Sequence, residues 1–329
     1  MTRLSGFVAL LAGLAIPFLL PGEFYLGIAT QILVFGLFAV SVNILAGFGG
    51  MVSLGHAGFL GVAAYAYAIL VNSYGIMPIA AALLTLLIGT AVAAIFGVIA
   101  LRTRGLSFLM ITLALGQIVW GVAFRYTSLT NGDNGINLPS ESLLATSPLG
   151  RYYLCLAVLC VILAGLAVFI RSPLGAALNG VRDQPRRMST LGYNTWVIRY
   201  VAYILSGATA SLAGILYIQI FRFISPHALS LTASSEGVLM VIAGGIGTLF
   251  GPVLGAGIVV LLKNVASAYT DRWPTLLGLI FLFIILVMPE GLLPGARRIA
   301  GRLLARLGTP RGGTKNTSAR VFRQQQEVR

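Results

Sequence analysis

Acidic residues are scarce in this chain: eight Asp and Glu among 329 residues, beside 22 Lys and Arg, two histidines and two cysteines. Charged side chains make up only 9% of the sequence and apolar ones 58%, with a mean hydropathy of +0.94. Soluble domains average about 25% charged and 45–50% apolar residues, so a soluble globular fold is excluded and an integral membrane protein is expected. The same scarcity removes most enzyme chemistry, since the chain offers no paired carboxylates, no nucleophile beside a base and no cluster of metal-ligating residue types. Cys155 and Cys160 lie five apart in one apolar segment, which points them in different directions on a helix and makes them packing residues rather than metal ligands. The spacing G-x-x-x-x-G-K-[ST] does not occur, and GTPRGGTK near the tail does not satisfy it, so this chain carries no phosphate-cradling loop of that kind.

What is abundant is positive charge, with a formal net charge of +14. Nucleic-acid binding would place basic residues and aromatics together on one polar face, whereas here the basic residues sit between apolar spans. Arg3, Arg102, Arg104, five arginines between 171 and 199, and nine basic residues after Gly291 account for 17 of the 22. Basic residues collect on the cytoplasmic side of membrane proteins, so this asymmetry reads as orientation, with both termini cytoplasmic.

A membrane helix needs about 20 apolar residues, fewer where it is broken inside protein. Ten spans are expected on that rule. The first, Gly6–Leu20, resembles a signal peptide, but LLPGEF is a poor cleavage site and the span is read as retained. The second runs from Tyr25 to Leu45. Gly47–Gly61, GFGGMVSLGHAGFLG, is too rich in glycine for an undisturbed helix and too apolar for a loop, so it reads as a broken entry to the third span, which ends near Tyr74. The fourth, Met77–Leu101, the fifth, Leu106–Phe124, and the sixth, Tyr152–Ile170, follow. Between the last two, TSLTNGDNGINLPS lacks the calcium-loop spacing and reads as a tight turn. The seventh span, Val197–Phe221, carries Gly207, Ser211 and Gly214 as a small-residue stripe suited to close helix approach. After the external turn FRFISPHALSLTASS, the segment from Glu236 to Leu262 divides at GGIGTLFGP into two spans, one short, with Gly251 and Gly255 as a small pair. A last span ends at Met288. Placing that glycine turn in the cytoplasm keeps the nine basic tail residues inside, and it lets the second to fifth and seventh to tenth spans enter in opposite directions, as an inverted repeat would. The fold class expected is an all-α integral membrane protein of about ten transmembrane helices, with residues 1–290 as the membrane domain and 291–329 as a basic cytoplasmic tail.

Two groups of residues stand out as candidate sites. Ser53 and His56 sit three apart, so on a helical turn both can face a polar cavity; alternatively, His56 is a neutral imidazole bonding a carbonyl freed by the neighbouring glycines. Glu236 is the only acid just inside an apolar segment. The second group lies in Arg171–Arg199, the only long polar interval between two apolar halves. Five arginines face one acid, Asp183; Pro173 can start a helix; Pro185 interrupts it; and Ala177, Leu178, Val181, Met188 and Leu191 supply apolar contacts. This is the composition of a docking surface, although a solvated loop that only fixes topology would also be basic.

NILAGFGGMVSLGHAGFLGVAAY at 43–65, TNGDNGI at 130–136, RDQPRRMSTLGYN at 182–194 and SEGVLMVIAGGIGTLFGPVLGA at 235–256 occur in that order, and together they make the chain resemble the permease subunits of bacterial branched-chain amino acid ABC importers, the LivH/LivM type, and the LivM member more. The resemblance implies a type II ABC importer-like fold in the bacterial inner membrane, a second and similar permease subunit, two cytoplasmic ATPase subunits, a periplasmic substrate-binding protein, and branched-chain amino acids or similar small polar solutes as cargo. It implies no cofactor on this chain, with ATP bound by the partners. It also makes Arg182–Asn194 the contact for an ATPase, where Ala177, Val181, Met188 and Leu191 fill an apolar cleft, Arg182, Asp183, Arg186 and Arg187 lie at the rim, and Gly192 turns the chain back. The family loop reads RDN, then alanines, then ALGIN, whereas Pro185 to Thr190 occupy its middle here. An ion-coupled secondary transporter is the alternative, but Glu236 and His56 are a thin inventory for a proton relay. A channel or scaffold would leave the docking segment without a purpose.

Overall fold

Proline and serine set where the helices begin. The computed structural model describes residues 13–17, 22–139 and 147–269, with Thr275, Gly278, Leu279, Leu282, Leu286 and Gly291, all within one unit, residues 1–293. Helix α1, Glu23–Asn43, runs into a π turn, Ile44–Phe48; α2 is His56–Asn72, α3 Pro78–Ala100, α4 Leu106–Arg125 and α5 Pro148–Arg171. Two short helices follow, α6, Pro173–Asp183, and α7, Pro185–Thr190, then α8, Thr195–Phe221, α9, Leu231–Gly244, and α10, Gly251–Tyr269. Proline occupies the first turn of α3, α5, α6 and α7, where its missing N–H costs nothing. Ser147, Ser172, Asn194 and Ser230 cap α5, α6, α8 and α9 with side-chain oxygens that accept from first-turn N–H groups.

Among the described residues, six helices are long and apolar enough to cross a membrane: α1 with its π turn, α3, α4, α5, α8 and α10. The α2 and α9 helices are apolar but shorter, at 17 and 14 residues. The chain is therefore a multi-pass helical membrane protein, and the two short helices fall where glycine interrupts the sequence. The expected first span lies outside the described residues except for the helical stretch 13–17, which Tyr152 Oη reaches by donating to Gly13 O at 2.7 Å. The connection 271–274, nearly all of the tenth span and the basic tail also lie outside them.

The α8 helix is the centre of the bundle, packed against α1, α2 and α3. Its small-residue stripe does the packing expected of it, since Gly207 meets Ala93 and Ser211 meets Gly89 on α3, while Gly214 meets the Leu60 carbonyl on α2. At the end opposite the arginine-rich segment, Ile136–Asn137 pairs antiparallel with Phe223–Ile224, and Asn72 Nδ2 donates to Asn137 O at 2.7 Å. Asn131 adopts the αL conformation in the preceding turn, as its composition suggests. The expected external turn after α8 is not a free loop. Ile224, Pro226 and Leu229 are buried, and Leu229 fits against Gly61 of α2, so apolar burial draws this segment inward and α9 starts at Leu231, before Glu236.

The α9 and α10 helices form a tight hairpin in which Gly255 lies against the backbone of Met240 and Gly244. Backbone cannot yield as a flexible side chain can, and overpacking costs about 1–3 kcal/mol or more. Gly255→Leu is therefore expected to lower the thermal unfolding midpoint in detergent by several degrees, whereas Gly121→Leu, at a position with open space around it, leaves the midpoint unchanged.

Candidate functional site at the interrupted helices

Two breaks in helical structure meet at the arginine-rich end of the bundle. The first is the π turn and the irregular stretch 49–55, where Gly49 N donates to Ile44 O at 3.1 Å and Met51 N to Leu45 O at 2.9 Å. The second is the turn between α9 and α10. Their meeting point is the fully buried carboxamide of Asn43, whose Oδ1 accepts from Gly247 N at 2.9 Å while Nδ2 donates to Thr248 O at 2.9 Å. One side chain thus satisfies a donor and an acceptor that the broken helix leaves behind. Gly245 and Gly247 have φ of 118° and 74°, a region that side chains disfavour, and Gly47 packs directly on Gly247, so glycine is required on both sides of the contact.

The segment Pro173–Thr190 attaches to the first break. Arg182 Nη1 donates to Gly47 O at 2.9 Å, its stem lies against Gly50, and its Nε donates to Asp183 Oδ1 at 2.9 Å. Gly175, Ala177, Leu178 and Val181 form the buried face of α6. Ala177 and Val181, expected as contacts for a partner, are therefore turned into the chain's own core, because an amphipathic helix lying on a bundle spends its apolar face on that bundle. Met188 is partly buried and packs on Gly180. What faces outward is Leu174, Arg186, Arg187, Leu191, which is 66% exposed, and Tyr193. Gly192 N donates to Ser189 O and Tyr193 N to Met188 O, both at 3.1 Å, which with a φ of 87° at Gly192 forms a Schellman stop. This glycine does turn the chain back toward α8.

The structure places Ser53 and His56 differently from the expectation of a shared cavity. Both are enclosed. His56 Nε2 lies 2.7 Å from Ser206 Oγ on α8, and Ser206 gives its single hydroxyl hydrogen to Ser41 O on α1, also at 2.7 Å. Nε2 is therefore the protonated nitrogen, and it bonds the Ser206 hydroxyl. The small residues of α8 bring α1 and α2 close enough for this three-helix link, and that closeness removes the cavity. Ser206 is eleven residues into α8, roughly 16 Å from its start at 1.5 Å per residue, so the link lies near mid-height of the bundle. The Ser53 hydroxyl accepts from Gly55 N, and Ser234 of α9 accepts from Ala57 N, which holds the first turn of α2.

Glu236 has a partner that the sequence did not point out. Lys263 Nζ on α10 lies 3.3 and 3.2 Å from its two carboxylate oxygens, with the Glu236 side chain 12% and the Lys263 side chain 39% exposed. The available signal was a lone charge in an apolar run, Lys263, that a hairpin at 245–250 would bring opposite Glu236. Asn43 carried a comparable signal as a lone amide at the end of a span, just before the glycines. Among the described residues no group of three His, Cys, Asp or Glu could hold a metal ion.

Interrupted helices joined to each other inside a bundle, with a short amphipathic helix bonded to one break, are the class of architecture on which membrane transport proteins are built. The family comparison agrees with that class. The chain belongs to the family described as branched-chain amino acid transport system / permease component, whose model matches residues 24–288. It is 28% identical over 302 residues, or 82% of this chain and 70% of the relative, to the high-affinity branched-chain amino acid transport system permease protein LivM of Escherichia coli. Similarity to LivH of the same organism is 27% over 183 residues, 51% of this chain and 59% of the relative. A tyrosine transport system permease protein of Clostridioides difficile is 26% identical over 149 residues, 45% of this chain and 49% of the relative. No solved structure matches the chain.

The clamp gives a direct test. Asn43→Ala leaves Gly247 N and Thr248 O without their partner, and each unsatisfied buried group costs about 1–3 kcal/mol. The expected result is a lower unfolding midpoint together with faster proteolysis at the 245–250 turn, whereas Asn43→Asp, which keeps the acceptor for Gly247 N, loses less.

Proposed function

We propose that this chain is the membrane-spanning permease subunit of an ATP-binding cassette importer that moves branched-chain amino acids or similar small polar solutes across the bacterial inner membrane. The observation that carries the reading is the connected path Arg182, Gly47, Asn43, Gly247, by which an outward-facing helical segment is hydrogen-bonded to both helix breaks. Family membership supports the transport role, and the printed names of the relatives support the substrate class. The arginine-rich end is cytoplasmic in this reading, ten spans cross the membrane with both termini inside, and the spans fall into an inverted repeat.

The mechanism is conformational. ATPase subunits grip α7 and the turn after it, with Leu191 and Tyr193 as apolar anchors, Leu174 beside them, and Arg186 and Arg187 orienting the partner at the rim. Closure of the ATPases moves α6, a stiff element capped at Ser172, and Arg182 passes the displacement to Gly47 and, through Asn43, to the α9–α10 turn. Asp183 keeps the Arg182 guanidinium aimed. The Glu236–Lys263 pair borders the substrate path, which accounts for the access that Lys263 retains. A second, similar permease completes the path and a periplasmic binding protein delivers the cargo.

Two measurements test this. Leu191→Glu should abolish co-purification of the ATPase, because truncating or charging an apolar anchor costs about 2 kcal/mol or more. Gly192→Val should leave the ATPase bound but uncouple hydrolysis from uptake in vesicles, since a β-branched residue at positive φ breaks the Schellman stop. Uptake that ignores ATP and collapses with an ionophore would overturn the importer reading. For orientation, reporter fusions at Gly150 and at Arg329 are expected to report the periplasm and the cytoplasm respectively, and an external tail would refute the ten-span arrangement.

A further inference from the structure

The arginine-rich end also holds a cavity of ≈ 380 Å³ that the conformational mechanism does not use. Its polar wall is made by Arg104, Arg182 and Arg199, and its apolar wall includes Leu106, Phe108 and Leu109 from the foot of α4. Arg182 is occupied by Asp183 and by Gly47 O. Arg104 and Arg199 are close enough to repel one another, and among the described residues neither has a carboxylate within 4.0 Å. Arg199 Nε is buried without a hydrogen-bond partner. Two like charges held at a concave site without a counter-ion are unfavourable unless an anion binds between them.

The surroundings say what kind of anion fits. Leu106 lines the cavity and is 83% exposed, and Met110, Ile118 and Val122 continue the same i+4 row along α4 at 71%, 59% and 58% exposure, with Ala114 between them also exposed. A cationic cavity therefore stands at the foot of an apolar track that follows a membrane-crossing helix. Trp196, stacked on Tyr200 with ring centroids 4.9 Å apart, flanks Arg199 on α8, the placement of an aromatic residue at a membrane interface. A free inorganic anion would fill the cavity and leave the track unused, whereas an amphiphile uses both.

We infer that this cavity binds the phosphate headgroup of an anionic phospholipid from the cytoplasmic leaflet, with Arg104 and Arg199 on the phosphate and an acyl chain along the Leu106–Val122 row. The assignment of leaflet rests on the orientation proposed above, while the binding itself does not. An occupied site would hold the 49–52 stretch, the α3–α4 turn and the base of α8 together through one shared anion, so lipid charge would bias the moving parts of the bundle.

The test uses the full chain in its complex, stripped of lipid in detergent, with native mass spectrometry and thermal unfolding as readouts. Phosphatidylglycerol is expected to bind at one copy per chain and raise the unfolding midpoint, while phosphatidylcholine does neither. Arg104→Gln and Arg199→Gln should each weaken phosphatidylglycerol binding roughly tenfold. Arg199→Lys should recover most of it, which separates loss of charge from misfolding. Arg125→Gln, at the opposite end of α4, should bind as the unaltered chain does. Equal binding by the Arg104 and Arg199 variants overturns the proposal, as does full displacement of the lipid by inorganic phosphate, which would mark a simple anion site, or by leucine, which would mark an exit for substrate. The reporter fusions decide the leaflet separately, so an inverted topology with intact lipid binding would refute the orientation and keep the site.

Discussion

A helix interrupted inside a membrane bundle leaves backbone donors and acceptors that water cannot reach, and the rest of this structure depends on how those groups are satisfied. Asn43 does so for the α9–α10 turn with one carboxamide, across more than two hundred residues of sequence. The hydroxyls of Thr112 and Ser234 accept from Leu54 N and Ala57 N at the re-entry into α2. Because the partners lie on different helices, neither break can be rearranged alone. Bonds of this kind exchange rather than simply disappear, so they suit elements that must hold two arrangements.

Close packing makes that arrangement possible. The glycine and serine stripe of α8 lets α2 and α3 pack closely on it, and Ser206 of the same helix joins His56 of α2 to Ser41 of α1 in a dry interior. The link lies near mid-height, where His56, Ser206 and Ser41 are all fully buried. The short helices outside the bundle follow the same economy. The α6 helix commits its apolar face to the bundle and so becomes part of it, while α7 and the turn after it leave Leu191 and Tyr193 exposed. A segment that is half anchored and half exposed can transmit force, which a solvated loop cannot do without losing it to chain entropy.

Much of the fold was legible in the residues. Composition established the membrane class, runs of apolar residues placed α1, α3, α4, α5 and α8 within a few residues of their observed limits, and glycine density located both breaks. Proline and glycine marked α6, α7 and the stop at Gly192, because these residues act through local φ constraints and missing donors that do not depend on the rest of the chain. The sequence by itself thus determined which segments are helical, where they are interrupted and which interval is basic. Only the tertiary structure decided the pairings. Arg182 with Gly47, Asn43 with Gly247, His56 with Ser206 and Glu236 with Lys263 join positions from 27 to more than two hundred residues apart. Whether Ala177 and Val181 face a partner or their own core was settled the same way, since a helix's apolar stripe says that a face will be buried, and the packing of its neighbours determines against what.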